Sequence, residues 1–404
     1  MTSESTINSE FDRSVPSIQS DDENSPKLPV NFFTIVLNGQ PFIKYHIDIF
    51  KQLSYEWHWH IVEGVASLTQ DTSWCLDSGG QIIDSIHNCG LSNDGTTEYL
   101  NQIAQLYPEH VTIYRQPAGV FWDGKLEMVN APLKNIQEEC LLWQVDVDEL
   151  WTLEQLQNAR QMFIDNPKKT AAFYWCWYFV GETQIISTRN CYAENPRQEW
   201  LRTWRFKPGA FWAAHEPPTL VQTLADSQNQ DIAQIDPFLH QETEDYGLVF
   251  QHFAYVTLKQ LQFKEQYYGY QNAVAKWEKL QKQDNFPILL RAYFGWVSDG
   301  TQVDRVDNLG ITPIAQKKDD DWKFIRSPVS NKQIYNVQYL QQPAAEIDRV
   351  NQDLELVSQE LDRANQELIV AQCRIASMES TKFWQLRERW FQLKKILKLT
   401  NNSA

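Results

Sequence analysis

The sequence predicts an α/β fold: a mainly parallel sheet flanked by helices, followed by a C-terminal coiled-coil helix. Three observations predict it. Strand-like and helix-like runs alternate from Val30 to the helix that opens at Thr152, the pattern of parallel strands joined by helical crossovers. The run from Leu141 that leads to the acidic cluster at 146–149 begins as a short apolar run, which suits a buried strand. Near Ile347 the hydrophobic period changes to a heptad.

Composition bounds the rest. The 16 Trp, 16 Tyr and 20 Phe of this 404-residue chain are enough to fill a sizeable core. A net charge of −16 repels a phosphate backbone, so no nucleic-acid partner is expected. Six cysteines without a C-x-x-C pair suit reduced thiols in a cytoplasmic protein. Residues 1–28 are rich in Ser, Asp, Glu and Asn and read as a disordered leader.

The domain itself is expected over 29–311. It begins with the β-rich run Val30 to Leu37, stopped by Asn38-Gly39. Pro41 opens a helix through Leu53, and Trp57 to Val62 forms a second strand ending at Glu63. His46, His58 and His60 are read as packing residues rather than metal ligands. Val65 to Leu91 is loop-like. Ser92 to Thr96 is a turn that leads a capped helix to Leu106, and Val111 to Arg115 is the third strand. A helix from Leu126 to Ile136 precedes the apolar run that ends in Asp146-Val147-Asp148-Glu149.

That acidic cluster organises the chain. Side chains alternate along a strand, so Asp146 and Asp148 are expected on one face about 7 Å apart, where they repel each other unless a cation sits beside them. Hard oxygen ligands suit Mn²⁺ or Mg²⁺. Thr152-x-x-Gln155 then opens a helix as a capping box. The acids thus sit where a strand gives way to a helix, the ligand position of an open α/β sheet.

The second half is less regular. Phe173 to Val180 reads as one aromatic strand, Trp200 to Phe206 and Leu248 to Val256 as two more, and Thr257-x-x-Gln260 as the cap of one long helix running past Trp277. Arg202 and Arg205 are placed on one strand face, where either phosphate or paired acids would account for them. Residues 312–344 read as a loosely ordered connector and 345–380 as a coiled coil. Residues 381–404 form a basic amphipathic helix, net +5 from Lys382 onward. The coiled coil implies a homo-oligomer. The basic end is expected either in peripheral contact with an anionic membrane, on its inner face for a cytoplasmic protein, or docked on the protein itself.

The order of strand then Asn38, the turn Ser92-Asn93-Asp94-Gly95-Thr96, Lys125 and Asn130 in the next helix, and Asp146-Val147-Asp148 resembles a GT-A fold glycosyltransferase of the family 2 type. Trp200 to Phe206, followed by Phe211 to Glu216, is similar to an acceptor-side stretch of that family. The resemblance implies a GT-A (Rossmann-like) fold and transfer of a sugar from a nucleotide-sugar donor to a glycan or lipid-linked acceptor, in surface polysaccharide or glycolipid synthesis. It implies donor contacts at Asn38, Glu63, Asp94, Lys125, Asn130 and Asp146, and a metal site from Asp146, Asp148 and His252. Inversion at the anomeric carbon requires a general base, for which Glu216 is the first candidate, ahead of Glu182 and Glu149. The competing reading is an inactive GT-A-like scaffold acting through its coiled coil and basic tail.

Overall fold

The first strand shows how the sheet is built. Along it Phe32 enters one buried cluster with Trp59 and Trp143, while Phe33 enters a second with Leu142, Trp204 and Trp212. Neighbouring side chains of a strand point to opposite faces, so a strand covered on both sides is apolar at both.

The computed structural model describes residues 27–187, 199–223, 229–294, 297, 300–319, 321–325, 389–390 and 393. In chain order the elements are β1 (Val30–Val36), α1 (Ile43–Phe50), β2 (Trp57–Glu63), α2 (Trp74–Asp77), α3 (Thr96–Leu106), β3 (Val111–Tyr114), α4 (Lys125–Asn130), β4 (Cys140–Gln144), β5 (Glu149–Leu150), α5 (Leu153–Asp165), β6 (Ala171–Phe173), β7 (Trp175–Phe179), β8 (Gln184–Ser187) and β9 (Leu201–Phe206). They continue with β10 (Phe211–Ala214), β11 (Thr219–Thr223), β12 (Asn229–Asp231), β13 (Pro237–Phe238), α6 (His240–Asp245), β14 (Val249–His252), α7 (Leu258–Tyr267), α8 (Ala273–Gln281), β15 (Ile288–Leu289), β16 (Gln302–Arg305), α9 (Val306–Leu309), β17 (Ala315–Lys318) and β18 (Asp321–Phe324).

The main sheet has the order β13-β6-β9-β4-β1-β2-β3, with β9 alone antiparallel to its neighbours. Strand order therefore reverses between β1 and β4. The crossovers on either side leave in opposite directions there and open a crevice at the carboxyl ends of those strands. A second sheet, β15-β16-β8-β7-β14-β5, packs beside it. Its β14 pairs with β5 so that His252 lies opposite Glu149.

The mainly parallel α/β architecture agrees with the sequence, as do the capping boxes at Thr152 and Thr257. Three local expectations give way. The single aromatic strand is two: the chain leaves the main sheet after Phe173 and joins the second sheet at Trp175, with Tyr174 buried between. The long helix after Thr257 is also two, α7 and α8, broken where Gly269 takes φ +75° and Asn272 takes φ +58°. The start of the expected connector is an ordered hairpin, β17–β18, whose Trp322 and Phe324 rings lie 5.1 and 6.4 Å from that of Phe42.

The chain divides into the units Met1–Tyr335 and Asn336–Ala404. The leader up to residue 26 and the coiled coil lie outside the described residues. Of the basic tail, Arg389, Trp390 and Leu393 are described, as exposed helical residues. Among the described residues no helix is long and apolar enough to cross a membrane.

Candidate active site

A cleft of about 990 Å³ opens at the crevice between β1 and β4. Asn38, Asp94, Lys125, Asp146, Asp148, Arg202, His215, Glu216 and His252 all line it. They come from several turns and strand ends, which is why they are scattered in sequence.

The acidic segment is a turn, not a strand. β4 stops at Gln144, and Glu149 N–H closes the turn onto the Asp146 carbonyl at 3.0 Å. The alternation argument for Asp146 and Asp148 therefore does not apply, and packing sets their directions instead. Every backbone carbonyl of the segment is held. Thr34 Oγ1 donates to Val145 O at 2.6 Å, His46 Nε2 bonds Val147 O at 2.9 Å, and Phe253 N–H donates to Asp148 O at 2.7 Å. With its backbone tied to β1, α1 and β14, the turn presents its carboxylates without further ordering. His46, expected only to pack, is thus a brace of the turn. Burial holds its imidazole down at about 4, so it is neutral and donates through Nε2–H.

Asp148 faces His252, with Oδ1 to Nε2 at 3.3 Å, and its other oxygen accepts from Gln260 Nε2 at 3.2 Å. Burial opposes ionisation of Asp148. His252 and Lys264 outweigh it and hold the carboxyl down at about 2. Asp146 turns the other way. Its Oδ2 is 3.7 Å from Arg202 Nη2 and its Oδ1 accepts from Gln144 at 3.3 Å.

Arg202 is committed to acids. It grips the fully buried Glu149 through Nε at 2.9 and 3.0 Å and through Nη2 at 2.7 Å. This excludes Glu149 as a solvent-accessible base. Arg205 sits three residues along β9 and hence on the opposite face. It bonds the Phe163 and Lys169 carbonyls and pairs with Glu139, so the two arginines do not share a face.

The expected triad of ligands is only partly assembled. Among the described residues no group of three or more His, Cys, Asp or Glu side chains is gathered as a metal site, because Asp146 is drawn to Arg202. The pair Asp148–His252 does fit one divalent ion. Bonds of about 2.1 Å place neighbouring ligand atoms roughly 3.0–3.4 Å apart, which brackets the observed 3.3 Å. Among the described residues buried His252 Nδ1 has no hydrogen-bond partner, and it lies 3.8 Å from Glu149 Oε1, the side on which ligating histidines usually meet a carboxylate.

Of the donor residues, Asn38 and Asp94 pin the crevice rim. Asn38 donates to Ile86 O at 2.6 Å and accepts from Asn93 N–H at 2.8 Å, while Asp94 accepts from Gln40 N–H at 2.9 Å and Thr96 N–H at 3.0 Å. Lys125 is half-buried at the start of α4, with Nζ 3.3 Å from the Tyr268 hydroxyl. Burial works against its charge, but Tyr268, Glu216 and Tyr267 raise its pKa above the usual lysine value. Two expected residues lie off the cleft. Glu63 is fully buried, ion-paired to Arg115 at 2.6 Å and hydrogen-bonded to Ser92 N–H, so it anchors the Ser92 turn. Asn130 exchanges hydrogen bonds with the Trp212 backbone and clamps α4 to β10.

Glu216 is exposed at the cleft wall, after His215. Burial and the nearby cations Lys125 and Arg202 keep the His215 imidazole neutral. Glu182 is remote from the cleft and lies 3.8 Å from Lys317. His58 bonds Thr112, and His60 bonds Tyr114 and Asn31, as packing residues.

Fold and cleft together define an α/β protein with an acid-lined site at the strand-order reversal of a mainly parallel sheet. No family model and no curated protein matches the chain. Some solved structures resemble it in part. One is the mannosyltransferase PcManGT from Pyrobaculum calidifontis in complex with GDP-Man and Mn²⁺, at 16% identity over 44% of each chain with a TM-score of 0.28. Others are S. aureus TarS, at 12% identity over 44% of this chain and 28% of that one with a TM-score of 0.29, and its 1–349 fragment, at 16% over 44% and 47% with 0.28. The chain spans less than half the length of each.

Proposed function

We propose that the chain is a metal-dependent glycosyltransferase that moves a sugar from a nucleoside diphosphate to a glycan or lipid-linked hydroxyl with inversion. One observation carries this reading. Asp148 with His252, Lys125 and Glu216 converge on a single cleft at the strand-order reversal. Asn38 and Asp94 form the rim that would border the nucleoside. Lys125 would neutralise diphosphate charge from the start of α4. A Mn²⁺ or Mg²⁺ held by Asp148 and His252 would stabilise the departing diphosphate.

The chain's own residues carry the rest. Glu216 takes the proton of the acceptor hydroxyl as that oxygen bonds the anomeric carbon. The bond from that carbon to the diphosphate oxygen breaks, and the electron pair leaves with the diphosphate. Arg202 holds Asp146 and Glu149 in place and fixes the geometry of the turn. In this reading the tail assembles the protein and brings it to an anionic membrane, where lipid-linked acceptors lie.

The test is hydrolysis of a panel of nucleotide sugars with and without Mn²⁺. Turnover is expected only with the metal. An Asp148→Ala variant should stay folded, as circular dichroism would check, and lose metal-dependent donor binding by calorimetry. Equal donor affinity in the variant would remove Asp148 from the site.

A further inference from the structure

The segment from Val65 to Leu91 is docked on the corner between α7 and α8. Gln81 N–H donates to the Gln266 carbonyl at 2.8 Å, and the Tyr267 hydroxyl donates to the Ala66 carbonyl at 2.7 Å. Two glycines permit the approach. A Cβ at Gly80 would lie 2.2 Å from the Tyr267 carbonyl oxygen, and one at Gly269 would lie 2.5 Å from that of Ser78.

This contact fixes three aromatic rings. The Trp74 indole lies parallel to Tyr268, with centroids 5.7 Å apart and planes at 2°. Tyr270 joins at 5.7 Å from Tyr268 and 6.4 Å from Trp74. Trp74 is 38% exposed, so the cluster keeps an open aromatic surface. Its inner end is in the cleft, where the Tyr268 hydroxyl accepts from Lys125 Nζ. Glu216 is close enough to help raise the pKa of the Tyr270 phenol, after burial, Tyr255 and Tyr268.

We propose that Trp74, Tyr268 and Tyr270 form an acceptor subsite that takes a pyranose ring and delivers its hydroxyl to Glu216. The inference rests on the transferase reading and adds to it the place and the side chains that would hold a sugar ring of the acceptor. A pyranose has an apolar C–H face and a rim of hydroxyls. Flat rings with polar tips match both, and they lose little side-chain entropy on binding. The nucleoside end of the cleft, at Asn38 and Asp94, is built from amides and acids instead, which separates the two substrates by chemistry.

The experiment uses the full chain on an array of short oligosaccharides. The best binder is then titrated by saturation-transfer NMR against wild type, Trp74→Ala and Trp74→Phe, with melting curves as the fold control. Wild type should bind. Trp74→Ala should weaken the oligosaccharide by about tenfold, and Trp74→Phe, which keeps a flat ring, should recover most of it. Affinity for UDP and GDP is measured in parallel. An array without binders overturns the proposal, as does a Trp74→Ala variant that loses nucleotide affinity and keeps that for the oligosaccharide. Trp74-dependent sugar binding in a protein that hydrolyses no nucleotide sugar would refute the transferase reading and leave the carbohydrate subsite standing.

Discussion

Glu149→Gln is the sharpest probe of how the site is held. The substitution preserves shape but removes the charge opposite Arg202, whose guanidinium side chain is only 9% exposed while that of Glu149 is fully buried. Removing one partner of a buried pair costs about 3–5 kcal/mol, because the other charge stays desolvated. Asp146, 3.7 Å from Arg202 Nη2 and 31% exposed, offsets part of the loss and sets the expectation near the low end, about 3 kcal/mol. For a domain of this size that corresponds to a melting temperature roughly 5 °C lower. The assay is urea denaturation followed by tryptophan fluorescence. Its control is the double variant Glu149→Met with Arg202→Met, which removes both charges and should recover most of the loss. A Gln variant within about 1 kcal/mol of wild type would refute the reasoning. So would a double variant costing the sum of the two singles.

Glu216→Gln should lower transfer by roughly 10²–10⁴-fold with little change in donor affinity; undiminished turnover would pass the base role to another group. Burial holds His46 and His240 down at about 4 and His60 at about 3. Below about pH 6.5 the unfolded chain takes up protons that these folded imidazoles refuse, so stability should fall from there toward pH 4, by up to ~1.4 kcal/mol per pH unit for each histidine. A urea midpoint that stays flat between pH 7 and 5 would contradict this. Deleting residues 345–404 should give a monomer that no longer sediments with anionic vesicles; unchanged size and vesicle binding would deny the tail both roles.

The sequence by itself determined the elements whose signals are local. Runs rich in aromatic and β-branched residues marked β1 and β2, a short apolar run marked β4, and the Thr152 and Thr257 boxes marked helix starts to the residue. Both depend on neighbours within a turn or a strand. The acidic cluster and its place at a strand end were legible for the same reason.

What only the tertiary structure decided was the company each side chain keeps. Arg202 reads as a phosphate ligand or an acid partner until β9 is seen beside β4, which sets it against Glu149. Glu63 reads as a donor contact until Arg115 arrives from the end of β3 and occupies it. His46 carries no signal of its bond to Val147, and Trp74 none of its stack on Tyr268, because those partners are 101 and 194 residues away in the chain. A charge or an aromatic ring announces its chemistry in sequence. Its partner is chosen by strand order and loop docking, through contacts across the fold that no local pattern encodes.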